Sequence, residues 1–343
     1  MKKPVLALIA FVLPGWLSVW AQPPAKPRIL GISQIVVRAH DLNASRHFYG
    51  DLLGFGEAFV VLKDGKAVVK TGVPADQISE LFFKVNNRQY IVVMPEGSPS
   101  EPRFVRYAVE TDDAEGMRGL LKSLGYSVPS DIHKSPIADL AFEMTDPDGT
   151  PIQIVQFTPE SLIVQNAGKL LSPARLSNRI LHAGFSIGKP ETVKFYQDGF
   201  AVREFWRSDP TMSAPAVPGA APRQRAARAP GPLLASLSNL KLGASDDYIE
   251  WSFLRPAAGS TGPPPPTRAG GHIALETQDM AKTIATIEGL PAFRDYDRRH
   301  EAHVGINHKW QGNFFDPDGT RTEFMEPGTA DGLPSPMSHA PYF

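Results

Sequence analysis

The chain has 343 residues, which is room for two domains, with 42% apolar and 21% charged residues as in an ordinary globular protein. Its 35 basic and 36 acidic residues leave a net charge of -1, so there is no electrostatic footprint for nucleic acid or another polyanion. Cysteine is absent, which excludes disulfides, thiolate nucleophiles, cysteine metal ligands and a cysteine-borne lipid anchor.

At the N-terminus, Lys2 and Lys3 precede an apolar run from Val5 to Leu13, and Val19-Trp20-Ala21 offers a cleavage site. This pattern predicts a secretory signal peptide over 1–21 and export to the periplasm or beyond. The run is broken by Pro14 and Gly15 and is short of the ~20 apolar residues a spanning helix needs, so no membrane association is expected after cleavage.

The first strand–turn–helix pattern, "SQIVVRAHDLNASRHFYGDLLGF", starts at Ser33, and "LHAGFSIGKPETVKFYQDGF" repeats it from Leu181 with a one-residue gap in the turn. Each has an alternating strand, a helix carrying Phe-Tyr, and a Gly-Phe that leads into the next strand. A second pair matches more closely: "YAVETDDA" (Tyr107–Ala114) and "IALETQDM" (Ile273–Met280). Each member of this pair is followed by "DPDGT", at Asp146–Thr150 and Asp316–Thr320. Pro fixes φ, Gly supplies a positive φ and Asp bonds its own backbone, so DPDG predicts a tight hairpin before a final strand.

The chain therefore reads as four units starting near residues 29, 104, 179 and 271, each strand–helix–strand–strand–strand. The expected class is α+β: four βαβββ units paired into an N-terminal domain (28–160) and a C-terminal domain (179–328). A linker (161–178) joins them and a tail (329–343) follows. The Ala/Pro/Arg-rich segment 213–232 is expected to be a solvated insertion, and the Pro/Gly-rich segment 259–271 a connector.

Matched positions of the units differ in chemistry. His272 opens the first strand of the fourth unit where the second has Arg106, and Glu323 follows the fourth unit's hairpin where Gln153 follows the second's. His182 in the third unit corresponds to Gln34 in the first. Glu250, in "DDYIEWSFLRP", corresponds to Tyr90 or Ile91. Singly, each of these residues is an ordinary strand position. Together, His182, Glu250, His272 and Glu323 make two imidazoles and two carboxylates, a divalent-metal set. An arginine in the other set argues against a cation there.

The stretches "HDLNASRHFYGDLLGF", "HAGFSIGKPETVKFYQDGF" and "HIALETQDM", with both DPDGT strands, resemble the vicinal oxygen chelate superfamily. That superfamily includes glyoxalase I, extradiol dioxygenases, epimerases and bleomycin-resistance proteins. The resemblance covers nearly all of 29–327. It implies paired units closing cupped sheets, one metal ion held by His182, Glu250, His272 and Glu323, and an N-terminal half without metal.

Three activities follow from the resemblance. A glyoxalase-like lyase or isomerase would use Zn or Ni to polarise a small substrate with vicinal oxygens, with Glu323 as the proton-shuttling base and Glu250 as its partner. A non-haem Fe(II) or Mn extradiol dioxygenase would use His182, His272 and Glu323, with His303 and His308 as further acid/base groups. Against this, the tyrosine expected before the glutamate is missing, the region holding Trp310, Asn313 and Phe314 instead. The third is a ligand-sequestering protein without chemistry. A small-molecule partner is expected in all three, no nucleic acid, and a homodimer is compatible.

Overall fold

A computed structural model describes residues 27–215, 233–243, 245–255 and 271–341. The signal-peptide reading, most of the 213–232 insertion and nearly all of the 259–271 connector lie outside the described residues. No helix among the described residues is long and apolar enough to cross a membrane.

All four βαβββ units are present. The first comprises β1 (Ile29–Ala39), helix α1 (Leu42–Ser45, continued as a π-helix over Arg46–Leu52), β2 (Gly56–Leu62), β3 (Ala67–Val68), β4 (Ile78–Lys84) and β5 (Tyr90–Pro95). The second is β6 (Phe104–Thr111), α2 (Ala114–Ser123), β7 (His133–Lys134), β8 (Leu140–Thr145) and β9 (Pro151–Gln156). After α3 (Leu162–Gln165) come β10 (Ile180–Ile187), α4 (Pro190–Phe200), β11 (Arg203–Arg207), β12 (Leu233–Lys241) and β13 (Tyr248–Arg255). The fourth unit is β14 (His272–Glu276), α5 (Met280–Glu288), β15 (Glu301–Val304), β16 (Lys309–Phe315) and β17 (Arg321–Thr329).

Local chemistry sets these boundaries. Asp113 and Asp279, matched in the repeat, cap α2 and α5 by accepting from the Gly116 and Lys282 amides. Pro190 opens α4 at its first turn. In both DPDGT turns the glycine has the positive φ that a side chain would resist, 86° at Gly149 and 88° at Gly319.

The strands form two curled sheets, ordered β3-β2-β4-β5-β1-β6-β9-β8-β7 and β11-β12-β13-β10-β14-β17-β16-β15. In each, the opening strands of two units pair antiparallel at the centre, and each opening strand is parallel to the closing strand of its own unit. Alternation then sends one row of side chains to the concave face and the other to the helices. One core cluster spans both halves, joining Ile35, Phe83 and Phe142 to Phe185, Trp251 and Phe314.

The DPDGT turns hold the halves together. Tyr49 of the first unit donates to Asp316 Oδ2 (3.0 Å), and Tyr196 of the third donates to Asp146 Oδ2 (3.1 Å). The second aspartate of each turn also crosses over. Asp148 accepts from the Gly188 and Lys189 amides and the Thr192 hydroxyl, and Asp318 accepts from the His40 amide. The linker is strapped down: buried Lys84 donates to the Asn166 and Lys169 carbonyls (2.6 and 2.8 Å), and the Leu176 amide donates to Leu53 O.

Burial raises the Asp146 and Asp316 carboxyls from 3.8 to about 6 each. Each binds its proton more tightly folded than unfolded. Their contribution to stability is therefore full below 3.8 and is lost as pH rises through about 6. Asp316→Asn is expected to flatten the pH dependence of the urea midpoint across that window. Tyr49→Phe and Tyr196→Phe should each lower stability by about 1–2 kcal/mol, and an unchanged urea midpoint in both would rule out the cross-half role.

Candidate metal centre

Strand register brings the four predicted ligands together. In the C-terminal sheet His182 lies opposite Ala274, and Gly184 opposite His272. Glu250 lies beside Gly184 and Glu323 beside Ala274. All four side chains therefore share the concave face, and none of the four residues is more than 6% exposed.

His182 Nε2 is 3.1 Å from His272 Nε2. Glu323 Oε2 is 3.5 Å from His182 Nε2 and 3.7 Å from His272 Nε2, and Glu250 Oε1 is 3.6 Å from His272 Nε2. The ligand atoms of His182, Glu250 and His272 all lie within 4.8 Å of one another, a cluster suited to a metal ion.

The surroundings fix the two imidazoles. Arg321, two residues before Glu323, donates to His272 Nε2 at 2.6 Å, so that nitrogen carries no proton and its lone pair is held by the guanidinium. The Tyr248 ring lies against His182 at 4.6 Å between centroids and fixes its plane. A Cβ on Gly184 would fall 1.8 Å from His272 Cε1, so the imidazole lies where any other residue would put a side chain.

The two carboxylates are not equivalent. Burial pushes Glu250 above its ordinary range, with the nearby His182 opposing and Glu323 adding to the rise. Burial acts on Glu323 in the same direction, but Arg321 and the two imidazoles outweigh it and hold that carboxyl at about 2.

His303 and His308 separate. His303 is buried on β15 opposite Gln311, in the row that includes Asn313, itself opposite Glu323. His308 occupies a left-handed turn position (φ 63°) and its Nδ1 sits 2.8 Å from Asp331 Oδ2 in the tail. Ala138 takes the same position (φ 68°) in the β7–β8 hairpin. Both turns close with the same amide bonds, Ala138 to Ser135 O and His308 to Gly305 O. The structure thus places His303 toward the cup and His308 at a turn corner.

The N-terminal sheet repeats the register with other residues. Gln34 lies opposite Ala108, which lies beside Gln153, and Arg106 lies opposite Val36. Val92 lies beside Val36, as Glu250 lies beside Gly184. The counterpart of Glu250 is therefore Val92, and not Tyr90 or Ile91 as the sequence alignment had it. Val36 takes the place of Gly184, so no ring can lie across the strand there. Gly184 and Arg321 escaped the sequence reading. Both stand two residues from a predicted ligand, on the same face of their strands, and that spacing was the available signal.

Residues 31–154 match the model of the Glyoxalase/Bleomycin resistance protein/Dioxygenase superfamily. No curated protein matches the chain. Among solved structures it is similar to the Mn(II)-bound glyoxalase of Novosphingobium aromaticivorans, at 15% identity and TM-score 0.57 over 92% of this chain and 86% of that one. It is also similar to BphC, a halotolerant catechol dioxygenase, at 11% identity and TM-score 0.58, covering 88% of each chain. The 2,3-dioxygenase LapB of Pseudomonas sp. KL28 is similar at 13% identity and TM-score 0.57, over 92% of this chain and 97% of that one. Residues 31–154 thus carry the sequence pattern of the glyoxalase, bleomycin resistance protein and dioxygenase superfamily, and the chain shares the fold of these solved structures over most of its length.

Proposed function

We propose that the C-terminal cup holds one divalent cation through His182, Glu250, His272 and Glu323 and catalyses proton transfer on a small substrate with two adjacent oxygens. The observation that carries this reading is Glu250. A second buried carboxylate stands in register with the other three ligands, and a two-histidine, one-carboxylate oxygenase site has no need of it. A divalent ion in such a site polarises a carbonyl and lowers the barrier to removing the neighbouring proton.

The chain's own residues supply the remaining parts. Glu323, held charged by Arg321 and the two imidazoles, is suited to anchor the ion. Glu250, pushed upward by burial, is the stronger base of the two and is suited to take up and return the proton. Arg321, bonded to His272 Nε2, is placed to turn its guanidinium to a substrate oxygen once that nitrogen is otherwise engaged. Burial of the whole set strengthens these charges by keeping water out. Zn or Ni fits this chemistry, and the lysine-led apolar N-terminus supports export of the protein.

A second reading, an extradiol-type dioxygenase using Fe(II) or Mn, is favoured by buried His303 in the cup-facing row. Catechol dioxygenases among the fold neighbours support it too.

Elemental analysis of protein purified without chelator is expected to find about one divalent ion per chain. His272→Ala should abolish it and Arg106→Ala should leave it intact; equal metal in wild type and His272→Ala would sink the assignment. Gly184→Ala should reduce metal content severalfold while the far-UV spectrum stays unchanged. Arg321→Ala, by freeing His272 Nε2, should tighten metal binding by up to about tenfold. With an α-hydroxy ketone in heavy water, the wild type should exchange the carbon-bound proton without consuming oxygen. Oxygen uptake with a catechol instead would give the second reading precedence.

A further inference from the structure

The N-terminal cup has no ligand set, yet it is not filled. Ile137 and Ile163 pack into its apolar depth with Phe59, Phe82 and Tyr90. Toward the mouth a cavity of about 250 Å³ remains, lined by Glu80, Phe82, Arg106, Asp139, Glu143 and Gln153 among others. That is ring-sized, just under the usual range of ligand pockets.

The charges of this cavity do not balance. Arg106 is spoken for by Glu80 at 3.4 Å. Glu143 accepts from Gln153 Nε2 at 2.7 Å, and its other oxygen is 3.8 Å from His133 at the half-exposed mouth. Asp139 is 1% exposed, and no donor meets either carboxylate oxygen in good hydrogen-bond geometry, the Ser161 hydroxyl standing beside it and easing its burial only in part. A buried carboxylate left so is expensive unless something absent from the chain meets it. Three carboxylates against one arginine call for a positive charge. Phe82 is the aromatic ring in the lining, with Phe59 (4.6 Å between centroids) and Tyr90 packed behind it, and this ring favours a cation that also carries a ring or methyl groups.

The matching corner of the other cup sharpens this. Asp139 and Lys309 hold the same place in their hairpins, each offering its carbonyl to the turn, to the Ser135 amide and the Gly305 amide respectively. The turn is shared and the charge is reversed. The backbone therefore does not require a carboxylate at residue 139.

We propose that the N-terminal cup is a second, metal-independent ligand site that binds a small ring-bearing organic ammonium, with Asp139 as its counter-charge and Phe82 beneath it. Burial raises the Asp139 carboxyl to about 7, offset only in part by the Ser161 hydroxyl, and an ammonium would draw that value down again. The other titratable groups facing the cavity are Tyr90, Glu80, Arg106, Glu143 and His133.

Isothermal titration calorimetry with benzylamine, benzyl alcohol and benzoate as probes tests this on the full chain. Benzylamine is expected to bind wild type at least tenfold more tightly than either of the others. Asp139→Asn should weaken it at least tenfold and Glu143→Gln severalfold, while His272→Ala, in the other cup, leaves it unchanged. Should Asp139→Asn fail to fold by circular dichroism, the Glu143→Gln result decides. Benzylamine affinity that is unaltered in these variants, absent at millimolar concentration, or matched by benzyl alcohol or benzoate overturns the proposal.

Discussion

The two halves depend on a reciprocal pair of buried hydrogen bonds. Each aspartate-led hairpin turn gives its first carboxylate to a tyrosine of the opposite half, Asp316 to Tyr49 and Asp146 to Tyr196. A carboxylate this deeply buried is tolerated only where donors meet it, and here the turn supplies some and the other half supplies the rest. The Thr150 and Thr320 amides close each turn on the same aspartate at 2.8 and 2.7 Å. The hairpins that position Gln153 and Glu323 are thus the same hairpins that dock one half on the other. The geometry at the cluster inherits its precision from the interface.

On that common frame the two cups diverge through few residues. Equal register puts Gln34, Val92, Arg106 and Gln153 in one and His182, Glu250, His272 and Glu323 in the other. The step from Val36 to Gly184 matters as much as any of these exchanges, because it decides whether a ring can lie across the strand. The half that matches the family model is the half without the metal-type set. What that match reports is the frame, and the chemistry has to be argued from the other half.

Much of this was legible in the sequence because the repeats carry their own punctuation. The two DPDGT turns fix the register of the following strands, so Gln153 and Glu323 align without ambiguity. The paired "ETDDA" and "ETQDM" helix starts do the same for Arg106 and His272. The first and third units have no such marker before their last strands, and Val92 was missed by one or two positions. Contacts made only in three dimensions left weaker traces. Nothing in "DGTRTEF" says that Arg321 reaches His272, and nothing in "HKSPIADL" says that Asp139 is stranded.

The linker has a consequence for how either cup changes shape. Lys84 gives up solvent to hold the Asn166 and Lys169 carbonyls, and burial lowers its affinity for its own proton. A segment tied by an interior ammonium and docked at Leu53 behaves as a brace, and a brace removes the hinge that two-domain enzymes commonly use to open and close. Motion is left to the sheet edges, where the outermost hairpins have neighbours on one side only. Loosening one edge then need not loosen the other, so the two cups are free to change shape separately.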